Sequence, residues 1–199
     1  MLPKLEGTAH VNMALVIKFM KNYLFNPKEY PEVPERIDNG DDTFLFDQGP
    51  TAGLGKVQFH DYNQTYQEFD LPNIEVFKRL IVQFRKLLLE AGPNEAQAGD
   101  IDYLLTLGEL FASIVYGHLI LEKALMDDAD SDLINQIFDV LVRDFAVYAA
   151  ELFGKPSNSE QQRALILGLI EAPAANPEQA ENLYRNQVCT LKGAYKLAD

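Results

Sequence analysis

One carboxylate in this chain stands where it could do acid–base chemistry. Glu6 lies in the short loop Lys4-Leu5-Glu6-Gly7-Thr8, and a helical pattern begins directly behind it. Thr8 is a good N-cap, because its side-chain oxygen can accept from a free N–H of the first turn. Gly7 has no Cβ and lets the backbone come close to a ligand. A carboxylate at a helix start is also favoured there by the macrodipole, whether or not it reacts.

The other candidates carry less. The three histidines are His10, His60 and His118. None has a second histidine at i+4 and no Glu-x-x-His falls on a helix, so a carboxylate-bridged metal site has no sequence support. His118 sits in an apolar stretch with Tyr116 nearby and reads as a core histidine with a satisfied ring. Gly53-Leu54-Gly55 lacks the third glycine and the strand–helix setting of a dinucleotide loop. No serine, threonine or cysteine has a local base motif beside it.

The element that must position Glu6 is the helix that follows. Val11, Ala14, Leu15, Phe19 and Tyr23 share one stripe at i, i+3, i+4 spacing, with Met13, Val16, Ile17 and Met20 around the sides. A helix apolar over most of its girth belongs inside a larger bundle. The string Leu5-Glu6-Gly7-Thr8, then Val11-Asn12 and a long apolar helix, resembles the segment that carries the catalytic base in acyl-CoA dehydrogenases. The resemblance proper covers about the first 25 residues. The remainder is loosely similar to the extra helical C-terminal region of the longer members.

That resemblance implies a function. Glu6 would be the base that removes the Cα proton of an acyl-CoA while hydride leaves Cβ for FAD. Gly7, Thr8, His10 and Asn12 would stand at the flavin contacts. Many relatives carry glutamine where this chain has His10 and Asn12. Relatives also have an N-terminal helical domain, a middle β-domain and most of a four-helix bundle before this loop. The chain is therefore expected to be a fragment or one half of a split enzyme, incomplete alone, with those domains as its partners in cis or in trans. An oligomer is expected as well.

Composition narrows the classes. The chain has 199 residues, 47% apolar and 24% charged, as in an ordinary soluble globular protein. A net charge of -13 argues against a nucleic-acid partner and against charge-driven binding to anionic membranes. Cys189 is the only cysteine, so no intrachain disulfide can form, which suits a reducing, cytoplasmic setting. The longest apolar run, Leu110 to Leu121, is too short to cross a bilayer and reads as a buried helix.

Three regions are expected: residues 1–25 as base loop and last bundle helix, 26–70 as an extended arm, and 71–199 as a C-terminal helical domain. Pro27, Pro31, Pro34 and several glycines punctuate the arm, with short extended pieces at Thr43 to Phe46 and Lys56 to Phe59. Its aromatics, Tyr30, Phe44, Phe46, Phe59, Tyr62, Tyr66 and Phe69, are expected to anchor it along a bundle surface. Helices follow over Ile74 to Leu89, Asp100 to Met126, Asp132 to Phe153 and Ser159 to Glu171, with a last one from Pro177 to about Leu197. Lys78, Arg79, Arg85 and Lys86 make the one basic stripe. It reads as a solvated face, or else as a contact for coenzyme A phosphates or an acidic partner. Asp127 to Asp132 lacks the glycine and closing glutamate of a calcium loop and reads as a turn and helix cap.

The fold class expected is all-α: a bundle fragment, an aromatic arm and satellite helices. The leading function is the C-terminal portion of an acyl-CoA dehydrogenase. The alternative is a non-catalytic helical interaction module, in which Glu6 is only a charge near a helix start.

Overall fold

Asp100 accepts from the backbone N–H groups of Asp102 and Tyr103 and starts Ile101–Asp127, the longest helix among the described residues. A computed structural model describes residues 17–28 and 59–194. In chain order its helices are α1 (17–25), α2 (Tyr62–Gln67), α3 (Pro72–Ala91), α4 (Glu95–Ala98), α5 (Ile101–Asp127), α6 (Ser131–Gly154), α7 (Glu160–Leu167) and α8 (Pro177–Leu183). The fold is all-α, with no strand among the described residues.

Helices α3, α5 and α6 form the centre. The apolar spacing of α3 does what its sequence implies: Val76, Phe77, Leu80, Ile81, Phe84 and Leu87 are all buried. They meet Leu110, Phe111, Ile114 and Leu121 of α5 and Phe138, Val142, Phe145 and Leu152 of α6 in one cluster. Edge-on ring contacts run through it, with Phe77 at 5.4 Å from Phe138 and 5.6 Å from Phe145. Met20, Tyr23 and Leu24 of α1 and Tyr62 and Tyr66 of α2 belong to the same cluster.

Helix ends follow local chemistry. Leu71 offers α3 no side-chain cap, but the Asn73 N–H donates to Asn135 Oδ1 of α6 at 2.9 Å. The acidic connection after α5 is a stop and a start. Asp128 takes φ 49 to end α5, and Asp130 accepts from Asp132 and Leu133 N–H to open α6.

Some expectations need correction. Residues 62–67 are helical rather than extended, because Asp61 caps them and both Tyr62 and Tyr66 gain burial on one face. Met20, placed on a side of the first helix, is buried, whereas Phe19 is half-buried. Helix α7 stops at Leu167 and not at Glu171: Gly168 and Leu169 N–H groups turn back to Leu165 and Ile166 carbonyls. Helix α8 gives way at Tyr184 to a wider turn over Tyr184–Val188, and Leu197 lies outside the described residues.

Helix α5 is longer than the apolar run Leu110 to Leu121 implies. Its 27 residues, with a mean hydropathy of 1.7 over the most apolar stretch, are long and apolar enough to cross a membrane. What marks it as the central helix of the bundle is packing: 56% of that stretch is buried in the fold.

Candidate functional site

Glu6, Gly7, Thr8, His10 and Asn12 all lie outside the described residues, as do Tyr30, Phe44, Phe46 and most of the expected arm. What the structure does describe is α1, residues 17–25, and how it is held. Tyr23 is the centre of that attachment. Its ring stacks on Tyr62 at 5.2 Å, and meets Phe59 and Phe111 edge-on at 5.4 and 5.5 Å.

Tyr23 also meets a buried polar group in the apolar middle of α5. The His118 ring is buried, with Tyr23 Oη 2.8 Å from Nδ1. On the other side of the ring, Nε2 lies 3.1 Å from Thr65 Oγ1 and 3.2 Å from Glu122 Oε1. These four residues come from α1, α2 and α5. His118 is thus a satisfied core histidine, as its apolar surroundings imply.

Burial sets the protonation states. It pushes the Tyr23, Tyr62 and Tyr66 phenols above their ordinary range. It pulls His118 down, against the attraction of Glu122. At neutral pH the cluster is therefore a neutral imidazole among neutral phenols. Tyr23 O–H donates to Nδ1, which leaves Nε2–H to donate toward Thr65 and Glu122. Such an arrangement can hold helices in register and pass a proton along bonds. None of its phenols is a base.

Small size explains a neighbouring position. A Cβ on Gly117 would lie 2.5 Å from Tyr66 Oη, 3.3 Å from the Phe77 ring and 3.4 Å from the Phe138 ring. Tyr66 cannot yield easily, since its hydroxyl donates to the Ile114 carbonyl at 3.0 Å.

Beside the cluster runs a wholly apolar groove of about 270 Å³ between α1 and α5, walled by Phe19, Phe59, Phe111, Val115 and Leu119. A second depression of about 300 Å³ lies between α5 and α6, with Ile120, Leu133 and Ile137 in its wall. Tyr116 and Leu119 border both and are more than half exposed. They form an apolar ridge between two hollows.

The basic stripe is largely engaged. Lys78 bonds Glu75 and the Phe69 carbonyl, and Arg79 pairs with Glu171 at 2.8 Å. Arg85 lies over the Phe25 ring at 5.2 Å and reaches Tyr62 Oη. Lys86 lines a shallow hollow with Val82, Leu89 and Glu90. A further charged group ties α5 to the end of α6: Lys155 meets Asp102 at 2.6 Å and Glu151 at 3.1 Å. Thr106 Oγ1 donates to Glu151 and helps hold that carboxyl below its usual range, while burial raises Glu109 nearby. Among the described residues no set of three His, Cys, Asp or Glu side chains is placed to hold a metal ion, and Cys189 is exposed.

Sequence reasoning placed His118 in the core but named none of its partners: Tyr116, the neighbour it noted, is exposed, Glu122 at i+4 was passed over, and Tyr23 and Thr65 lie 95 and 53 residues away. The usable clue was chemical: a histidine in an apolar run needs polar partners from somewhere. Compared with models of known families, with curated proteins and with solved structures, the chain matches none.

Proposed function

We propose that this chain is the C-terminal portion of an acyl-CoA dehydrogenase, with Glu6 as the base. The observation that carries the reading is the string Leu5-Glu6-Gly7-Thr8 with Val11-Asn12 running into an apolar helix. The all-α fold agrees with it in kind. So does the attachment of α1, which Met20, Tyr23 and Leu24 bury in the core. A base loop needs a fixed helix behind it, since misplacement of a catalytic group is costly.

In this reading the Glu6 carboxylate takes the Cα proton of the thioester as hydride leaves Cβ. That proton is weakly acidic, so the base must be desolvated by the missing domains and by the acyl chain. FAD, when bound, supplies the hydride acceptor. The donor set suits it: the Thr8 hydroxyl, His10 imidazole and Asn12 amide can bond polar edges of a flavin or its adenosine part, and Gly7 leaves its backbone open to approach. The N-terminal and middle dehydrogenase domains are the partners required. The test is Glu6→Gln in the assembled enzyme. Flavin and acyl-CoA binding should persist while bleaching of the flavin by substrate disappears. Near-normal turnover would sink the assignment.

A second reading, a non-catalytic interaction module, is favoured by the Tyr116–Leu119 ridge and its flanking hollows, since exposed contiguous apolar surface marks docking sites. A charge on that ridge, Leu119→Glu, separates the two. On the module reading partner binding is lost, and a Glu6→Gln variant behaves as wild type.

A further inference from the structure

The Tyr23–His118–Glu122 cluster has two protonation states that make different demands on the same atoms. With His118 neutral, Tyr23 O–H donates to Nδ1 at 2.8 Å, and Nε2–H faces Glu122 Oε1 at 3.2 Å and Thr65 Oγ1 at 3.1 Å. A second proton on the ring must sit on Nδ1. The Tyr23 oxygen can accept that N–H, but its own hydroxyl proton then loses its acceptor. Among the described residues the hydrogen bond of Tyr23 Oη is the one to His118, and the rings of Phe59, Tyr62 and Phe111 pack around it.

We propose that Tyr23, His118 and Glu122 form a proton-sensitive latch, which holds α1 on α5 while His118 is neutral and lets α1 loosen first when His118 takes a proton. The latch runs from the core, where Tyr23 and His118 are buried, to the surface at Glu122. Glu122 is half-exposed, so a proton has a path to Nε2. Among the described residues α1 buries Met20, Tyr23 and Leu24, whereas α5 and α6 bury long faces in the same core.

The groups facing His118 act in both directions. Glu122 on its own helix and Asp61 before α2 favour the charged ring. His60 beside Asp61 disfavours it, as does burial under Tyr23 and Tyr66. Burial is the largest of these, which keeps the ring neutral at pH 7 and places the change on the acid side of 6.5. The inference concerns the hold on α1 and does not depend on Glu6 being a base.

The test is made on the full 199-residue chain. Amide exchange is followed by mass spectrometry between pH 7.5 and 5.0, with the chemical exchange rate corrected, and the His118 ring is titrated by NMR. His118 should titrate below 6.5. Protection of 17–25 should fall on the order of tenfold more than that of α6, the scale of one unsatisfied hydroxyl. His118→Gln, whose amide takes no proton in this range, should make the protection of 17–25 independent of pH. Tyr23→Phe should raise the His118 titration midpoint, because no hydroxyl then resists the second proton. Parallel loss of protection in 17–25 and α6 of the wild type would overturn the proposal even if neither variant folds, as would selective loosening that persists in His118→Gln.

Discussion

Gln97 and Gln162 exchange side-chain amides: each Nε2 donates to the other's Oε1 at 3.0 Å, and both residues are buried. Each is also the third residue of a helix whose first turn it closes. Gln97 Oε1 accepts from the Asn94 N–H at 3.0 Å, and Gln162 Oε1 from the Ser159 N–H at 2.9 Å. Two capping boxes are thus joined face to face, locking the start of α4 to the start of α7. Gln162 Nε2 reaches the Ala91 carbonyl at the end of α3 as well.

Removing Gln162 leaves one N–H of the buried Gln97 amide without its acceptor, while Ser157 O and the Asn94 N–H still hold the rest of that amide. We predict that Gln162→Ala costs about 2 kcal/mol, from a lost cap and one orphaned N–H. Urea unfolding measures it. The double variant with Gln97→Ala should cost less than the sum of the singles, because the orphan is removed with its partner.

Two glycines should respond in opposite ways to alanine. At Gly117 the new methyl meets Tyr66 Oη, which is fixed on Ile114, so Gly117→Ala should lose about 1–3 kcal/mol by overpacking. At Gly154 nothing lies within 4 Å. There alanine should gain about 0.4–1 kcal/mol, chiefly by stiffening the unfolded chain. Thermal melts of the two variants should shift in opposite directions.

The contrast between these positions shows where sequence pattern is informative. The α3 face was legible because six apolar side chains recur at helical spacing, and Gly92-Pro93 marks its end. The turn before α6 was legible because aspartate caps are local chemistry. Helix α2 was not: its six residues are too few to show a period, and its order comes from Tyr62 and Tyr66 packing on distant helices. The end of α7 was missed for a related reason, since Leu169 looks helical but is buried after a turn. His118 was legible as a core residue, and its contact with Tyr23 was hidden by 95 intervening residues. The residues read as the catalytic site lie outside the described ones.

The phenols set the alkaline limit of stability. Tyr23, Tyr62 and Tyr66 are raised above 10 by burial, while the unfolded chain ionises near 10. The unfolded state therefore holds fewer protons as pH rises past 10, and stability falls with rising pH. Phenolate absorbance of these three should appear only with loss of helical ellipticity. Tyr66→Phe should weaken that alkaline slope, at a cost of about 1 kcal/mol near neutrality from the lost bond to Ile114.

The central claim is that these residues belong to a dehydrogenase they do not complete alone. The direct measurement is acyl-CoA-dependent reduction of an artificial dye, made with the purified chain and again with the N-terminal and middle dehydrogenase domains supplied in cis or in trans. The account predicts a colourless, inactive chain alone and a yellow, active protein on assembly. Its activity should vanish in Glu6→Gln. A yellow and active chain alone would contradict the fragment reading. An assembled protein that binds flavin yet reduces no dye would contradict the enzyme itself.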